Sequence, residues 1–175
     1  PPGAGRRGLR DRVVAAVAVL GGPAAIGMAQ TVLESSRGTF QFLLHRPARR
    51  DVLWLHKLAT GILASLAVAG LPTLGYALWA ATPRTHARPF YWDMTAWAFQ
   101  LLLALPLVYL GAFLSGLRPG RYFGSRLLPL FAAMLLFMLM QMPGMPVALR
   151  VALILSLEAL LVVITLHVGV TRDFS

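Results

Sequence analysis

Side chains able to carry acid–base chemistry are sparse in this chain, and their densest group stands at residues 34–57, which read ESSRGTFQFLLHRPARRDVLWLHK. Within it, His45, Arg46 and Asp51 supply the residue types that an enzyme acting on lipid headgroups would use to move protons and hold phosphate. Their spacing does not form a clustered acid–base or metal-binding set. The sequence therefore disfavours a lipid-modifying active site here.

Motifs for other chemistries are missing from the sequence. It contains no H-E-x-x-H, no G-x-S-x-G, no G-x-x-x-x-G-K-[ST] and no cysteine. Its histidines fall near predicted loop ends without zinc-ligand spacing, and a methionine-rich stretch near residue 140 is typical of soft apolar packing. We therefore expect no catalytic residue, no metal site and no cofactor, and any ATP hydrolysis to reside in a separate subunit.

Glu158 is the one acid that falls deep inside a predicted membrane helix. An intramembrane carboxylate is costly and usually faces the interior of a helix bundle. Two interpretations stay open for it. Glu158 is a candidate translocation-path residue, in contact with a substrate, proton or cation. Alternatively it is structural, protonated and hydrogen-bonded to another helix, with Ser156 and Thr165 as nearby hydroxyls.

Composition places the chain in a membrane. Of its 175 residues, 58% are hydrophobic and only 13% charged, with a mean hydropathy of +0.71, whereas soluble domains carry about 25% charged residues. The net charge is +10. The basic residues lie between apolar runs, so anionic lipid headgroups are a better partner for them than nucleic acid. A bacterial inner membrane protein is the expectation.

The apolar runs predict an all-α, polytopic membrane helix bundle that forms one membrane domain over residues 1–175. A helix needs about 20 apolar residues to cross the hydrocarbon core. Two prolines and a glycine within Met142–Pro146 divide a run too long for one crossing into two spans joined by a tight hairpin. The five predicted spans are 13–32, 58–81, 94–117, 126–142 and 147–168. Small residues at Gly111 and Ser115 would allow close helix packing, and the alternative is that glycine is simply common in membrane helices.

Charge asymmetry predicts the orientation. Residues 34–57, the loop at 118–126 and the C-terminal tail lie on one side and carry most of the loop Lys and Arg, so this side is expected to be cytoplasmic. The arginines of the N-terminal peptide fall on the opposite side and disagree with this assignment.

Residues 34–57 also have a structural pattern of their own. Between Thr39 and Leu44 the apolar side chains of Phe40, Leu43 and Leu44 recur with helical spacing and so share one face. Pro47 cannot continue this helix but suits the start of the next one. The sequence predicts a short amphipathic helix, a break, and a second helix that leads into the span at 58–81.

The ordered set Glu34, Gly38-Thr39, Leu43-Leu44, Pro47, Arg49 and Lys57 resembles the cytoplasmic segment of type-2 ABC transporter permeases, the membrane subunits of ABC exporters. The resemblance is close over about 24 residues and loose over the remaining spans. Such permeases usually have six spans, so the resemblance implies a fragment that lacks the first membrane helix.

By this resemblance the segment is a coupling helix that docks into a groove of an ATP-binding cassette ATPase subunit. The chain would dimerise as a homodimer or heterodimer, form a translocation path and act as an exporter. The implied ATPase-binding residues are Glu34, Arg37, Gly38, Thr39, Phe40, Leu43, Leu44, Arg46, Pro47 and Arg49. The alternatives are a helix that merely lies on the headgroups, and a membrane assembly or scaffold protein or a secondary transporter.

Overall fold

A computed structural model describes residues 19–33, 49–82, 90–117, 123–140 and 144–171, and every regular element in these ranges is helical. The all-α prediction is therefore confirmed. In chain order the elements are α1 (Val19–Leu33), α2 (Arg50–Ala81), a 3₁₀ turn (Trp92–Thr95), α3 (Ala96–Leu117), α4 (Phe123–Arg126), α5 (Leu128–Met140) and α6 (Val147–Thr171).

Three of these helices have the length and composition to cross a membrane. Asp51–Ala81, Trp92–Leu117 and Val147–Thr171 hold 31, 26 and 25 residues of high hydropathy, enough for a hydrocarbon core about 30 Å thick. They correspond to the second, third and fifth predicted spans and fit a multi-pass membrane protein. The first and fourth predicted spans coincide with the shorter apolar helices α1 and α5.

The boundaries of α2 and α6 differ from the predicted spans. The helix expected to feed the second span is continuous with it, so α2 begins at Arg50 rather than near residue 58. Nothing in residues 50–57 interrupts a helix, since this stretch has no glycine or proline and carries Asp51 in its first turn. At the other end of the chain α6 continues to Thr171, beyond the predicted limit of 168.

The helix at the fourth predicted span, 126–142, is interrupted near its start, and residues 141 and 142 lie outside the described residues. The α-helix covers only Leu128–Met140, and a separate turn of helix, Phe123–Arg126, precedes it. Pro129 explains the break, because it has no N–H to donate and its ring clashes with a carbonyl one turn earlier. The backbone of α5 instead begins with a bond from Phe131 N to Leu127 O, 3.0 Å long.

The predicted break between the fourth and fifth spans falls between two separate helices of the described residues. α5 ends at Met140 and α6 begins at Val147. Between them, Gly144 has a φ of 96°, a left-handed conformation that residues with a Cβ rarely adopt. A glycine at this position therefore permits the sharp turn between the two helices.

Helix α3 lies at the centre of the described bundle. Most of its residues from Leu101 to Leu117 are buried, and α2, α5 and α6 each make their largest helix–helix contact with it. A helix that is apolar on all sides suits this position, because it presents no polar face to lipid or water. By contrast α6 is largely exposed, with its outward face covered by residues such as Leu160 and Val163.

Glycine permits close contact between α1 and α3. A Cβ on Gly27 would lie 2.6 Å from the carbonyl oxygen of Tyr109, so no other residue fits there without moving backbone. Four residues further along α1, the side chain of Thr31 occupies the space left by Gly116 of α3. The Thr31 hydroxyl donates to Gly27 O of its own helix, 3.1 Å away. The two helices therefore run parallel with their backbones nearly in contact.

The predicted close approach at Gly111 and Ser115 is confirmed between α3 and α5. A Cβ on Gly111 would lie 2.8 Å from the Cβ of Ala133. Ser115 Oγ donates to Gly111 O at 2.8 Å and accepts the N–H of Leu130 at 3.1 Å. Since that N–H belongs to the first turn of α5, where the helix supplies no acceptor, Ser115 satisfies it.

Arg126 completes the corner between α3 and α5. Its guanidinium donates to Ser115 O at 3.3 Å and Gly116 O at 2.9 Å. These carbonyls lie in the last turn of α3, where they have no partner within the helix and carry the negative end of its dipole. A positive side chain here therefore stabilises both the end of α3 and the turn that follows.

Several contacts bring four helix ends together at one end of the bundle. Thr31 contacts Gly116, and Trp54 contacts both Phe113 and Gly169. These are the C-terminal ends of α1, α3 and α6 and the N-terminal end of α2. We call this the Arg50 end.

Tyr109 is fully buried in α3 and connects it to two neighbours. Its hydroxyl donates to Gln30 Oε1 of α1 at 2.6 Å, and its ring occupies the space left by Gly61 of α2. A side chain at residue 61 would therefore displace the tyrosine and its hydrogen bond.

The Tyr109–Gln30 bond should be measurable by a double-mutant cycle. We expect Tyr109→Phe and Gln30→Leu each to lower the free energy of unfolding, with a coupling energy of about 0.6 kcal/mol and at most about 2 kcal/mol, typical of hydrogen bonds between membrane helices. Unfolding by dodecyl sulfate in mixed micelles, followed by circular dichroism, provides the measurement. Tyr91→Phe at an exposed tyrosine is the control, and a coupling energy of zero would contradict the assignment.

Candidate functional site

Most of the predicted ATPase-binding residues lie outside the described residues. These are Glu34, Arg37, Gly38, Thr39, Phe40, Leu43, Leu44, Arg46 and Pro47. The amphipathic helix predicted for this stretch lies there too. Of the predicted site residues the structure describes Arg49, at the junction with α2, and Glu158, within α6. The two do not form one site, since Glu158 is about 16 Å along α6 from Gly169, which lies at the Arg50 end.

Arg49 is the residue immediately before α2. Its backbone is extended, with φ −60° and ψ 128°, and its guanidinium Nη2 lies 2.9 Å from Asp51 Oδ2. The two side chains are 82% and 51% exposed, so this ion pair contributes little stability. Arg49 is therefore available at the surface of the Arg50 end, where its charge can meet a partner.

Helix α2 joins this junction directly to the bundle. It runs for 32 residues from Arg50 to Ala81, which is about 48 Å of uninterrupted α-helix. Its one proline, Pro72, lies far from the junction. Since an α-helix resists bending over a few turns, a displacement of the chain at residue 49 moves the first turns of α2 as a unit.

Trp54 is the residue through which those first turns contact the rest of the bundle. It is 5% exposed, and its ring meets Phe113 of α3 edge to face, with centroids 6.1 Å apart and an interplanar angle of 87°. Such a pair contributes about 0.5–1.5 kcal/mol beyond burial of its area. Leu58, one turn further along α2, is buried in the same cluster.

Gly169 places α6 against the same tryptophan. A Cβ on Gly169 would lie 2.8 Å from ring carbons of Trp54, so the ring rests directly on the α6 backbone. One side chain from α2 thus contacts α3 and α6 together. We call Trp54, Phe113 and Gly169 the tryptophan joint.

Lys57 adds a cation to the tryptophan joint. Its Nζ lies 5.4 Å from the centroid of the Trp54 ring, within range of a cation–π interaction. The two residues are three apart in α2, a spacing that places them on neighbouring positions of one helix face. The lysine singled out by the family resemblance is therefore positioned by the same tryptophan that packs on α3 and α6.

Sequence reasoning missed the tryptophan joint as a unit. Trp54 was seen only as part of an apolar cluster, and neither Phe113 nor Gly169 carried a motif. The available signal was Gly169 itself, a glycine between Val168 and Val170 near the end of an apolar helix. A glycine at such a position allows a neighbouring helix or side chain to approach closely. Which ring fills that gap depends on the fold.

Glu158 lies on the edge of the packed face of α6, beside the backbone of Leu107 in α3. Its Oε1 atom is buried and has no hydrogen-bond partner among the described residues. The nearby hydroxyls do not serve it, because Ser156 donates to Ala152 O at 2.8 Å and Thr165 to Leu161 O at 2.6 Å. The predicted pairing through these hydroxyls is therefore not observed, and the translocation-path role stays a prediction.

No protein-family model, no curated protein and no solved structure matches this chain. The geometry that bears on function is therefore the chain's own: an exposed basic junction, a rigid helix that begins there, and a joint that fixes that helix to two others. This arrangement can receive a displacement at the Arg50 end and pass it to the interior of the bundle.

The tryptophan joint is tested by adding one methyl group. We expect Gly169→Ala to lower the free energy of unfolding by about 1–3 kcal/mol, because its Cβ overpacks the Trp54 ring. Dodecyl sulfate unfolding in mixed micelles gives the value. Gly70→Ala is the matched control, since a Cβ at Gly70 of α2 meets no described atom within 4 Å. Equal stability of the two variants would disprove the contact, whereas recovery in Trp54→Phe/Gly169→Ala would support it.

Glu158 offers a second measurement. Because Oε1 is buried without a described partner, while the backbone of Leu107 hydrogen-bonds the carboxyl group, we expect Glu158→Leu to raise the free energy of unfolding by at most about 2 kcal/mol, the gain from removing an unsatisfied oxygen less the loss of one hydrogen bond. Glu158→Gln keeps the shape and the polarity of the side chain, so its free energy of unfolding should rise less. The same unfolding titration compares them, and a large loss of stability in both variants would show instead that the carboxyl group has a partner.

Proposed function

We propose that this chain is a membrane permease subunit of an ATP-driven ABC transporter, and that it works as an exporter in a bacterial inner membrane. It pairs with a second permease subunit to form the translocation path. ATP is hydrolysed by a separate ATP-binding cassette subunit, in agreement with the missing phosphate-binding motif. Residues 34–49 dock on that ATPase.

The observation that carries this proposal is that a helix of 32 residues, α2, begins at Arg50. In the sequence this helix follows directly on the proposed docking residues 34–49. A coupling element needs such a connection, because a flexible linker would absorb a displacement before it reached the membrane. The ordered Glu-Gly-Thr-Leu-Leu-Pro-Arg-Lys residues of 34–57 supply the family resemblance.

The tryptophan joint supports the same proposal on its membrane side. When closure of the ATPase displaces residues 34–49, the first turns of α2 follow, and Trp54 bears on Phe113 and Gly169. Because packed interiors transmit displacements rather than absorb them, α3 and α6 then move together with α2. ATP-driven motion thereby reaches three helices through one side chain.

Charge at the Arg50 end is consistent with a protein partner that carries acids. Arg37, Arg46 and Arg49 flank the apolar face of Phe40, Leu43 and Leu44 in the sequence. Apolar side chains fill a groove and provide affinity, while arginines at the rim meet acidic groups and set the register of docking. Arg49 is exposed and able to take part.

Copurification tests the proposed function. The affinity-tagged chain, extracted in mild detergent from its native cells, is expected to bring with it a subunit with Walker motifs that hydrolyses ATP. We expect Phe40→Asp and Leu43→Asp to abolish recovery of this subunit, because a charge in the groove-filling face is left desolvated and unpaired. Gln41→Asp, placed off that face, is the matched control and should retain it.

Two results would contradict the proposal. One is purification of a stable chain that never carries an ATPase. The other is loss of the ATPase in all three variants alike, which would show that the effect comes from charge in the segment rather than from one apolar face.

A further inference from the structure

A groove of about 310 Å³ lies between α1 and α2. Its α1 wall includes Gly22, Pro23 and Ile26, and its α2 wall includes Ala69 and Pro72. The stretch from Ser65 to Thr73 corresponds to about 12 Å of helix, so the groove is a narrow channel parallel to the helix axes. Its volume is at the lower end of the range for ligand pockets in proteins.

The lining offers no free polar group for recognition. The two hydroxyls in it donate to carbonyls of their own helix, Ser65 Oγ to Gly61 O at 2.8 Å and Thr73 Oγ1 to Ala69 O at 2.7 Å. The remaining lining residues are Val, Ile, Ala, Pro and Gly. An occupant is therefore held by shape and dispersion contacts alone.

The groove opens towards the lipid-exposed surface of α2. Val68 in its wall is 67% exposed, and neighbouring Leu71 is 69% exposed. In a multi-pass membrane protein such apolar surface faces the hydrocarbon, so an occupant reaches the groove from within the bilayer.

The size of the groove decides between a lipid and a second copy of the chain. Nine residues line it, whereas a stable protein interface uses roughly 20–30 residues on each side. A helix with side chains is about 10 Å across, too wide to enter a channel of this volume. A single hydrocarbon chain fits both its width and its direction.

We propose that the groove between α1 and α2 binds one acyl chain of a membrane phospholipid. The chain lies parallel to the two helices, with the flat surface at Gly22 allowing it to approach the backbone of α1. The bound lipid fills the space that side chains leave open between α1 and α2. This proposal does not depend on the proposed function, because it uses only the groove and the membrane.

Photocrosslinking in vesicles tests it. The full chain is reconstituted in phosphatidylethanolamine vesicles containing a trace of phosphatidylcholine with a diazirine at the middle of one acyl chain, and crosslinked residues are identified by mass spectrometry. We expect the yield at residues 19–26 and 65–73 to exceed severalfold that on the lipid-exposed face of α6, which reports ordinary surrounding lipid.

A pair of glycine variants gives the control. A Cβ at Gly22 or at Gly75 meets no described atom within 4 Å, and both glycines are exposed, so Gly75→Leu is a matched control for Gly22→Leu. Of these two glycines, Gly22 lines the groove and Gly75 does not. We expect Gly22→Leu to reduce crosslinking in the groove to the α6 level and Gly75→Leu to leave it unchanged.

The alternative results are distinct. Equal yields in the groove and on α6, or a groove yield that Gly22→Leu leaves unchanged, would overturn the proposal and leave only surrounding lipid. Crosslinked dimers through α1 or α2 would overturn it in favour of a second copy of the chain. If Gly22→Leu unfolds the protein, Ala69→Val fills the opposite wall and is judged by the same yields.

Discussion

Close contact of α3 with its neighbours is the constraint on which the rest of this structure depends. Inside a bilayer, burial of apolar surface between helices gives little gain, because the lipid is as apolar as the protein. Association must come from dispersion contacts and internal hydrogen bonds. Gly27, Gly61 and Gly111 each remove a side chain where α3 meets a neighbour, and Tyr109 and Ser115 provide polar links at the same contacts.

This constraint also explains how local change at the Arg50 end can reach the interior. Helices packed backbone to backbone have no compliant layer between them, so displacement of one requires movement of the others. The tryptophan joint differs from the glycine contacts of α3, because a large ring rather than a small residue mediates it.

The sequence predicted the helical class, the apolar runs and the hairpin, because composition, length and proline–glycine breaks determine these locally. The close approach at Gly111 and Ser115 was also predicted from spacing. Pro129 was overlooked as a break, although its missing N–H acts locally. The tryptophan joint could not be predicted, because it pairs residues 54, 113 and 169, which only the tertiary packing brings together. The proposed docking residues 34–47 lie outside the described structure and stay predictions.

The short α5 has a consequence for the surrounding membrane. Its 13 residues span about 20 Å, well below the usual hydrocarbon thickness of about 30 Å, whereas the 32 residues of α2 span about 48 Å. A crossing made by α5 alone would require lipids that compress or tilt, at a cost of a fraction of a kcal/mol for each ångström of mismatch, whereas the helical turn Phe123–Arg126 that precedes it adds about 6 Å and reduces this mismatch. The flank of the bundle at α5 and the flank at α2 therefore match different thicknesses of hydrocarbon over their described residues.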